Sequence, residues 1–386
     1  MARALYIHWP FCAKKCPYCD FNSHVRASVE NAAWEGALLA DMRFEAQHAA
    51  GESLTSIFFG GGTPSLMPPP LVERLLKEAE ALWGFDPDIE ITLEANPSSV
   101  EAANFADLAA AGINRVSLGV QSLEDETLKW LGRLHGVKEA LGALETGLTH
   151  FDRVSFDLIY ALPGQSPDHW RQQLETALGF GTSHLSLYQL TIEPGTRFAT
   201  DVGRGIFEPL DDDEAADLFA ITQELTGQAG LPAYETSNHA KPGQESRHNL
   251  TYWRYQDYAG IGPGAHGRRA GVATTRHRKP ENFLNAVSTK GYGIDTARSL
   301  DRPEQASEAL LMGLRLTEGV DLLQLEKRFG YDRFTLLNRS AIERYISLNL
   351  LWMEDDTLGV AEAGRPVLDA LLAETVSDDL VSGNAA

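Results

Sequence analysis

Cysteine is scarce in this chain, since only three of its 386 residues are cysteines. All three lie in the window from Cys12 to Cys19. An odd number of cysteines at such close spacing argues against a disulfide framework, and free cysteines are typical of a reducing compartment. The first residues contain too short an apolar segment for a secretory signal peptide. We therefore expect a cytoplasmic protein.

Long hydrophobic runs and positive charge are also lacking. No segment approaches the roughly 18 apolar residues of a membrane span, so we expect no transmembrane helix, while peripheral membrane contact stays open. The 33 Lys and Arg residues are outnumbered by 54 Asp and Glu, which gives a net charge of −21. This balance disfavours nucleic acid as a partner. With 386 residues, the chain has room for one large domain and a smaller one, and the sequence leaves a homodimer open.

The spacing of the three cysteines is C-x3-C-x2-C, and it is typical of an iron–sulfur site. Thiolates are the usual ligands of iron–sulfur clusters, so Cys12, Cys16 and Cys19 could hold three corners of a four-iron cluster. The fourth iron would then lack a protein ligand and could bind a small molecule. Two alternatives stay open: a zinc site with His8 or His24 as the fourth ligand, or ordinary thiols.

Short apolar runs alternate with helical patterns over the first two hundred residues. The six predicted strands cover residues 4–8, 56–59, 90–94, 116–118, 154–158 and 185–190. This alternation predicts an α/β fold with a parallel sheet, as either an open six-stranded (β/α) barrel or a doubly wound sheet. Residues 236–300 show no clear periodicity and are predicted to be irregular. Residues 301–376 predict helices followed by a small β element, and residues 377–386 predict a flexible tail.

A glycine-rich turn follows the second predicted strand. It consists of Gly60, Gly61 and Gly62, followed by Thr63 and Pro64. Consecutive glycines allow close approach of a ligand and expose backbone N–H groups. An ordinary structural turn is the alternative.

Polar side chains follow the next strands. Glu94 and Gln121 end the third and fourth strands, and Arg133 lies 12 residues after Gln121. Asp157 lies inside an apolar strand, where an unpaired carboxylate is costly, so it predicts a ligand or a structural partner. Gln189 closes the sixth strand. A helix cap for Glu94 and a surface charge for Arg133 are the structural alternatives.

A cysteine motif of this spacing after a first strand resembles the radical S-adenosylmethionine (SAM) superfamily. Six segments further resemble its oxygen-independent coproporphyrinogen III oxidase group, and they read YIHWPFC, FGGGTPS, LEANP, GVQS, DLIYALPGQ and YQLTIEPGT. The resemblance implies a [4Fe–4S] cluster, bound SAM, and a partial (β/α)6 barrel over residues 1–235 with a small, mainly helical, winged-helix-like C-terminal domain. The positions that match SAM contacts are Tyr6, Tyr18, Gly61, Gly62, Thr63, Glu94, Gln121, Arg133 and Asp157, and Gln189 is a further cofactor-binding candidate.

Two departures separate the chain from those oxidases. The oxidases carry another cysteine two residues after the third ligand, where this chain has Phe21. The oxidases also carry an N-terminal extension. Both departures resemble the haem chaperone relatives of the oxidases, which bind haem and deliver it to apo-haem acceptor proteins. The segment from His248 to Trp253 matches their H-N-x-x-Y-W motif, so His248 is a candidate haem ligand.

The resemblance therefore implies a haem chaperone, and no catalytic residue is assigned. Conversion of coproporphyrinogen III to protoporphyrinogen IX is the alternative function. An iron–sulfur redox module without SAM chemistry is a third class.

Overall fold

The computed structural model describes residues 3–26, 28–49, 51 and 53–376. Its strands are β1 (Ala4–Trp9), β2 (Phe11–Cys12), β3 (His24–Val25), β4 (Leu54–Gly61), β5 (Phe85–Ala95), β6 (Arg115–Gln121), β7 (Arg153–Tyr160), β8 (His184–Gln189), β9 (Asn238–Ala240), β10 (Tyr258–Ile261), β11 (His266–Arg269), β12 (Val272–Arg276), β13 (Ile294–Ser299), β14 (Val320–Asp321), β15 (Leu351–Glu354) and β16 (Thr357–Val360).

Helices connect most of these strands. They are α1 (Asn31–Ala49), α2 (Pro69–Trp83), α3 (Ser99–Ala102), α4 (Phe105–Ala110), α5 (Asp125–Trp130), α6 (Val137–His150), α7 (Pro167–Leu178), α8 (Arg197–Gly203), α9 (Asp212–Gln228), α10 (Arg247–Trp253), α11 (Pro280–Lys290), α12 (Arg302–Gly313), α13 (Leu322–Phe329), α14 (Arg333–Leu336), α15 (Arg339–Ser347) and α16 (Leu368–Thr375). Short 3₁₀ turns cover Pro64–Leu66 and Glu362–Val367. Among the described residues, no helix combines the length and apolarity that crossing a membrane requires.

Six parallel strands form the centre of the main sheet. Their order is β1-β4-β5-β6-β7-β8, and each corresponds to one of the six predicted strands. The helices between them bury one apolar face, as α2 does with Leu71, Leu75 and Ala79. The predicted α/β fold with a parallel sheet is confirmed. Because the strands are parallel, their carboxyl ends, and the motifs that follow them, meet at one edge of the sheet.

The prediction that residues 236–300 are irregular is wrong. In this segment β9 pairs antiparallel with β8, β10 pairs parallel with β1, and β11, β12 and β13 continue the sheet antiparallel. Within the described residues the sheet reaches eleven strands. These added strands are short, and β13 is an edge strand with five exposed residues after Ile294, so it lacks the apolar alternation by which a strand is recognised.

A buried ionic cluster fastens this extension to the first helix. The Arg276 guanidinium on β12 lies 3.3 Å from Asp41 and 2.9 Å from Glu45, both on α1, and all three side chains are fully buried. Arg269 on β11 donates to Glu45 at 2.7 Å. Asp41 also accepts the N–H groups of Gly262 and Gly293. Helix α1, which follows the cysteine loop, is thereby fixed to the added strands.

The C-terminal unit has a core of its own. Helices α12 to α16 surround a three-stranded antiparallel sheet with the order β14-β16-β15. Leu310, Leu322, Leu336 and Leu358 are fully buried in this core. The predicted small, mainly helical domain with a β element is confirmed. The predicted tail at residues 377–386 lies outside the described residues.

Candidate cofactor site

The three cysteines lie on a loop at the carboxyl edge of the sheet. The loop leaves β1 through β2, and its two ends are held together by pairing of Phe11 with His24. Cys12, Cys16 and Cys19 are half-buried free thiols that line one cavity of about 390 Å³. Among the described residues, no group of His, Cys, Asp and Glu is gathered closely enough to hold a single metal ion.

The protein places hydrogen-bond donors beside two of the thiols. The Thr63 hydroxyl donates to Cys12 Sγ at 3.3 Å, and Arg133 Nη1 lies 3.5 Å from Cys16 Sγ. Burial raises the pKa of the Cys12 thiol, and the bond from Thr63 opposes that shift. Burial likewise raises the pKa of Cys19. The raised pKa values keep these two thiols protonated until a metal displaces their protons.

The glycine turn after β4 packs against the cysteine loop. A Cβ on Gly62 would lie 2.6 Å from the Phe11 carbonyl oxygen, and one on Gly61, where φ is +111°, would lie 2.5 Å from the His8 ring. The N–H groups of Gly62 and Thr63 donate to the carbonyls of Trp9 and Phe11. Glycine is required here because the two backbones approach closely, and these two N–H groups are already used within the protein.

Two half-buried carboxylates line the cavity. Glu94 ends β5 and accepts the Gly61 N–H at 3.3 Å, while Asp157 on β7 accepts from the Ser117 hydroxyl at 3.4 Å. Burial, reinforced by the charge of Asp157, raises the pKa of Glu94 to about 8. Burial raises the pKa of Asp157 to about 6, opposed by hydrogen bonds from Ser186 and Ser117. Neither carboxylate has an ion pair within the described part of the chain, so the pair favours a cationic ligand.

Arg133 spans the cavity wall between the cysteine loop and β6. Its Nη2 donates to Asn96 Oδ1 at 2.6 Å and to the Gly119 carbonyl at 2.8 Å, and its Nε is buried without a hydrogen-bond partner. Tyr18 OH lies 3.5 Å from Arg133 Nη1. Gln121, at φ +71°, also lines the cavity. The unpartnered donor on Arg133 is available to an anionic group such as a carboxylate.

Eleven sequence-predicted residues line this one cavity: Cys12, Cys16, Tyr18, Cys19, Gly61, Gly62, Thr63, Glu94, Gln121, Arg133 and Asp157. Tyr6 and Gln189 do not line it. The Tyr6 hydroxyl bonds His8 Nδ1 at 3.0 Å, and the Gln189 amide donates to the Ala215 carbonyl at 2.8 Å. Asn96 was missed by the sequence reasoning, although its place two residues after Glu94 at a strand end was the signal that could have found it.

His248 lies apart from the cavity, on α10 beside the first half of β4. Its Nδ1 bonds the Ser56 hydroxyl at 3.1 Å, its Nε2 bonds the Tyr252 hydroxyl, and its ring stacks on Phe58 with centroids 5.0 Å apart. Burial lowers the pKa of His248 to about 3. Both ring nitrogens are engaged, so haem ligation by His248 stays a prediction, and it would have to displace Ser56 or Tyr252 from the imidazole.

The cavity residues fit the cofactors that the resemblance implies. A four-iron cluster offers a separate iron to each of three thiolates, and three thiols on one loop meet that need. The two carboxylates with raised pKa values suit the ammonium and sulfonium charges of SAM, and the free Nε–H of Arg133 suits its carboxylate.

Comparison with known proteins agrees with this geometry. Residues 6–177 match the radical SAM superfamily, and residues 300–367 match the HemN C-terminal domain. The haem chaperone HemW of Escherichia coli is 38% identical over 379 residues, which cover 96% of this chain and 97% of that protein. The mouse mitochondrial radical S-adenosyl methionine domain-containing protein 1 is also 38% identical, over 96% of this chain and 86% of that protein.

A solved structure extends the likeness to the fold. The coproporphyrinogen III oxidase HemN from Escherichia coli superimposes with a TM-score of 0.81 at 20% identity, over 96% of this chain and 89% of that chain. This confirms the predicted partial-barrel fold with its C-terminal helical domain. Together with the near full-length identity to HemW, the matches show that this chain belongs to the radical SAM superfamily and, within it, to the HemW family.

Proposed function

We propose that this protein is a haem chaperone, which binds haem and passes it to apo-haem acceptor proteins. One observation carries the proposal: the haem chaperone HemW of Escherichia coli is 38% identical over 96% of this chain. The free thiols of the cysteine loop suit a reducing compartment, so we place its action in the cytoplasm.

The cofactor cavity supports this proposal. Cys12, Cys16 and Cys19 would hold a [4Fe–4S] cluster, which would supply electron-transfer chemistry beside bound SAM. Glu94 and Asp157 would balance the positive charges of SAM, and Arg133 would orient its carboxylate.

Phe21 supports a chaperone rather than an oxidase. It occupies the position where the oxidases carry a further cysteine, and its side chain is 60% exposed at the cavity mouth. A phenyl ring can neither ligate a metal nor take part in thiol chemistry. The oxidase-specific thiol is therefore replaced by an apolar surface.

Haem transfer and porphyrinogen oxidation, measured on one anaerobically reconstituted sample, test the proposed function. We expect a Soret shift on haem addition and transfer of haem to an apo-cytochrome, without protoporphyrinogen formation from coproporphyrinogen III. Robust protoporphyrinogen production, or failure to bind haem, would contradict the chaperone assignment.

The affinity for SAM should rise as the pH rises from about 6 to about 8. The pKa values of Asp157 and Glu94 are raised to about 6 and about 8, and a cationic ligand favours the ionised carboxylates. Binding below these pKa values displaces protons, which weakens affinity by up to about tenfold per pH unit for each proton displaced. Anaerobic equilibrium dialysis with labelled SAM measures this slope.

The matched variant is Glu94→Gln, which keeps the size of the side chain but does not ionise. Its affinity for SAM should be lower at pH 8 and should change less with pH than that of the wild type. The amino group of SAM titrates identically in both experiments, so the difference between the two slopes isolates Glu94. Equal slopes would mean that Glu94 does not titrate on SAM binding.

A further inference from the structure

Four exposed apolar side chains surround the mouth of the cofactor cavity. Val100 is 74% exposed, Leu134 67%, Phe21 60% and Leu66 41%, and all four line that cavity. They come from separate parts of the chain: the cysteine loop, the turn after β4, helix α3 and the loop after α5. Single exposed apolar residues are common on protein surfaces, whereas a group around one opening marks a binding surface. We call these four residues the apolar rim.

Two cations lie on the same rim. Lys14 and Lys15 are exposed on the cysteine loop and line the cavity, and neither forms an ion pair with another described residue. In a chain with a net charge of −21, two neighbouring unpaired lysines form a local positive site.

The apolar rim and the lysines together suit a ligand with an apolar body and anionic groups at one edge. Haem has this chemistry, because its ring is flat and apolar and carries two propionates on one side. The other haem candidate, His248, is buried with both ring nitrogens engaged, whereas the rim is open as it stands. Haem at the rim therefore leaves both hydrogen bonds of the His248 ring in place.

We propose that haem docks on the apolar rim, directly above the cofactor cavity, with its propionates at Lys14 and Lys15. This inference rests on the proposed function, since it names where a haem chaperone holds its cargo. The ring covers Phe21, Val100 and Leu134. Burial of these apolar surfaces against the ring supplies most of the affinity for haem. The lysines fix the orientation of the ring.

Haem titration of the reconstituted full-length protein tests the rim. The variant Phe21→Ser/Leu134→Ser removes two large apolar side chains and should weaken haem binding at least about tenfold. The matched control is Leu348→Ser, which changes an exposed leucine in the C-terminal unit and should leave the affinity unchanged. Iron and sulfide contents of each variant show that the cluster is intact.

A second pair of ligands tests the lysines. Lys14→Glu/Lys15→Glu should weaken haem binding about tenfold or more and leave binding of haem dimethyl ester nearly unchanged, because the ester lacks the carboxylates. Lys290→Glu, on α11, is the control for added negative charge. Equal weakening of haem and ester would mean that the lysines serve the cluster, and would overturn their assignment to the propionates.

The remaining outcomes separate this inference from the proposed function. Absence of haem binding by the wild type would overturn both. If the Phe21/Leu134 variant and the Lys14/Lys15 variant bind haem with wild-type affinity while His248→Ala loses binding, the rim is not the haem site. The proposed chaperone function would then stand. If these variants bind haem with wild-type affinity but transfer it poorly to an apo-cytochrome, the rim binds the acceptor protein and not haem. This result would also overturn the inference.

Discussion

Replacing Cys16 with alanine should abolish the iron–sulfur cluster of the anaerobically reconstituted protein. The chain has only three cysteines, so the variant retains two thiolates and no reserve ligand of the same kind. Cys16 Sγ also lies 3.5 Å from Arg133 Nη1, so the variant loses this contact as well. Iron and acid-labile sulfide should fall to background, and the broad cluster absorbance should disappear.

The control for this experiment is Ala13→Ser, which changes an exposed residue of the same loop and removes no thiol. It should reconstitute like the wild type. Full iron content in Cys16→Ala, or stoichiometric zinc in wild-type protein purified without oxygen, would contradict a cluster held by three cysteines. Stoichiometric zinc would also leave bound SAM without an iron–sulfur cluster beside it.

The parallel sheet could be predicted because its strands are buried on both faces. Strands such as β1 and β4 are short apolar runs between helical patterns. Such a run can be recognised from its own residues, without knowledge of its partners in the sheet. Strand β13 could not be recognised in this way, because it is an exposed edge strand that is held by backbone pairing with β12. Its pairing depends on residues far away in the sequence.

Much of the lining of the candidate site could also be predicted from the sequence. Glu94 and Asp157 lie on different parallel strands, and the topology brings their side chains to the same cavity. The structural role of the glycine turn was harder to predict. Gly61 and Gly62 are needed because the turn packs closely against β1 and the cysteine loop, and this contact depends on the folded backbone.

The same reasoning explains why Tyr6 and His248 fall outside the cavity. Tyr6 is three residues before the end of β1, so its side chain lies deeper than the strand ends. His248 is part of a motif, but a motif does not say whether its helix is open to solvent. Here α10 packs on β4, and Ser56 and Tyr252 hold the imidazole.

Replacing Arg276 with methionine should destabilise the folded protein by about 3–5 kcal/mol. Burial alone would lower the pKa of Arg276, but the charges of Asp41 and Glu45 raise it, so the guanidinium stays charged between two buried carboxylates. Methionine fills a similar volume and leaves those carboxylates without their shared cation. Removing one member of a buried ionic cluster is costly because the remaining charges stay buried. The midpoint of thermal unfolding, followed by circular dichroism, measures the loss.

Two further variants separate the parts of this effect. Arg298→Met breaks an exposed pair with Glu304 and should lower the unfolding midpoint far less than Arg276→Met, because solvent screens that interaction. Arg276→Lys keeps the positive charge but loses the planar fork that reaches Asp41 and Glu45 together, so its loss should lie between those of the other two. Equal losses for Arg276→Met and Arg298→Met would mean that α1 is not held to the added strands by this cluster.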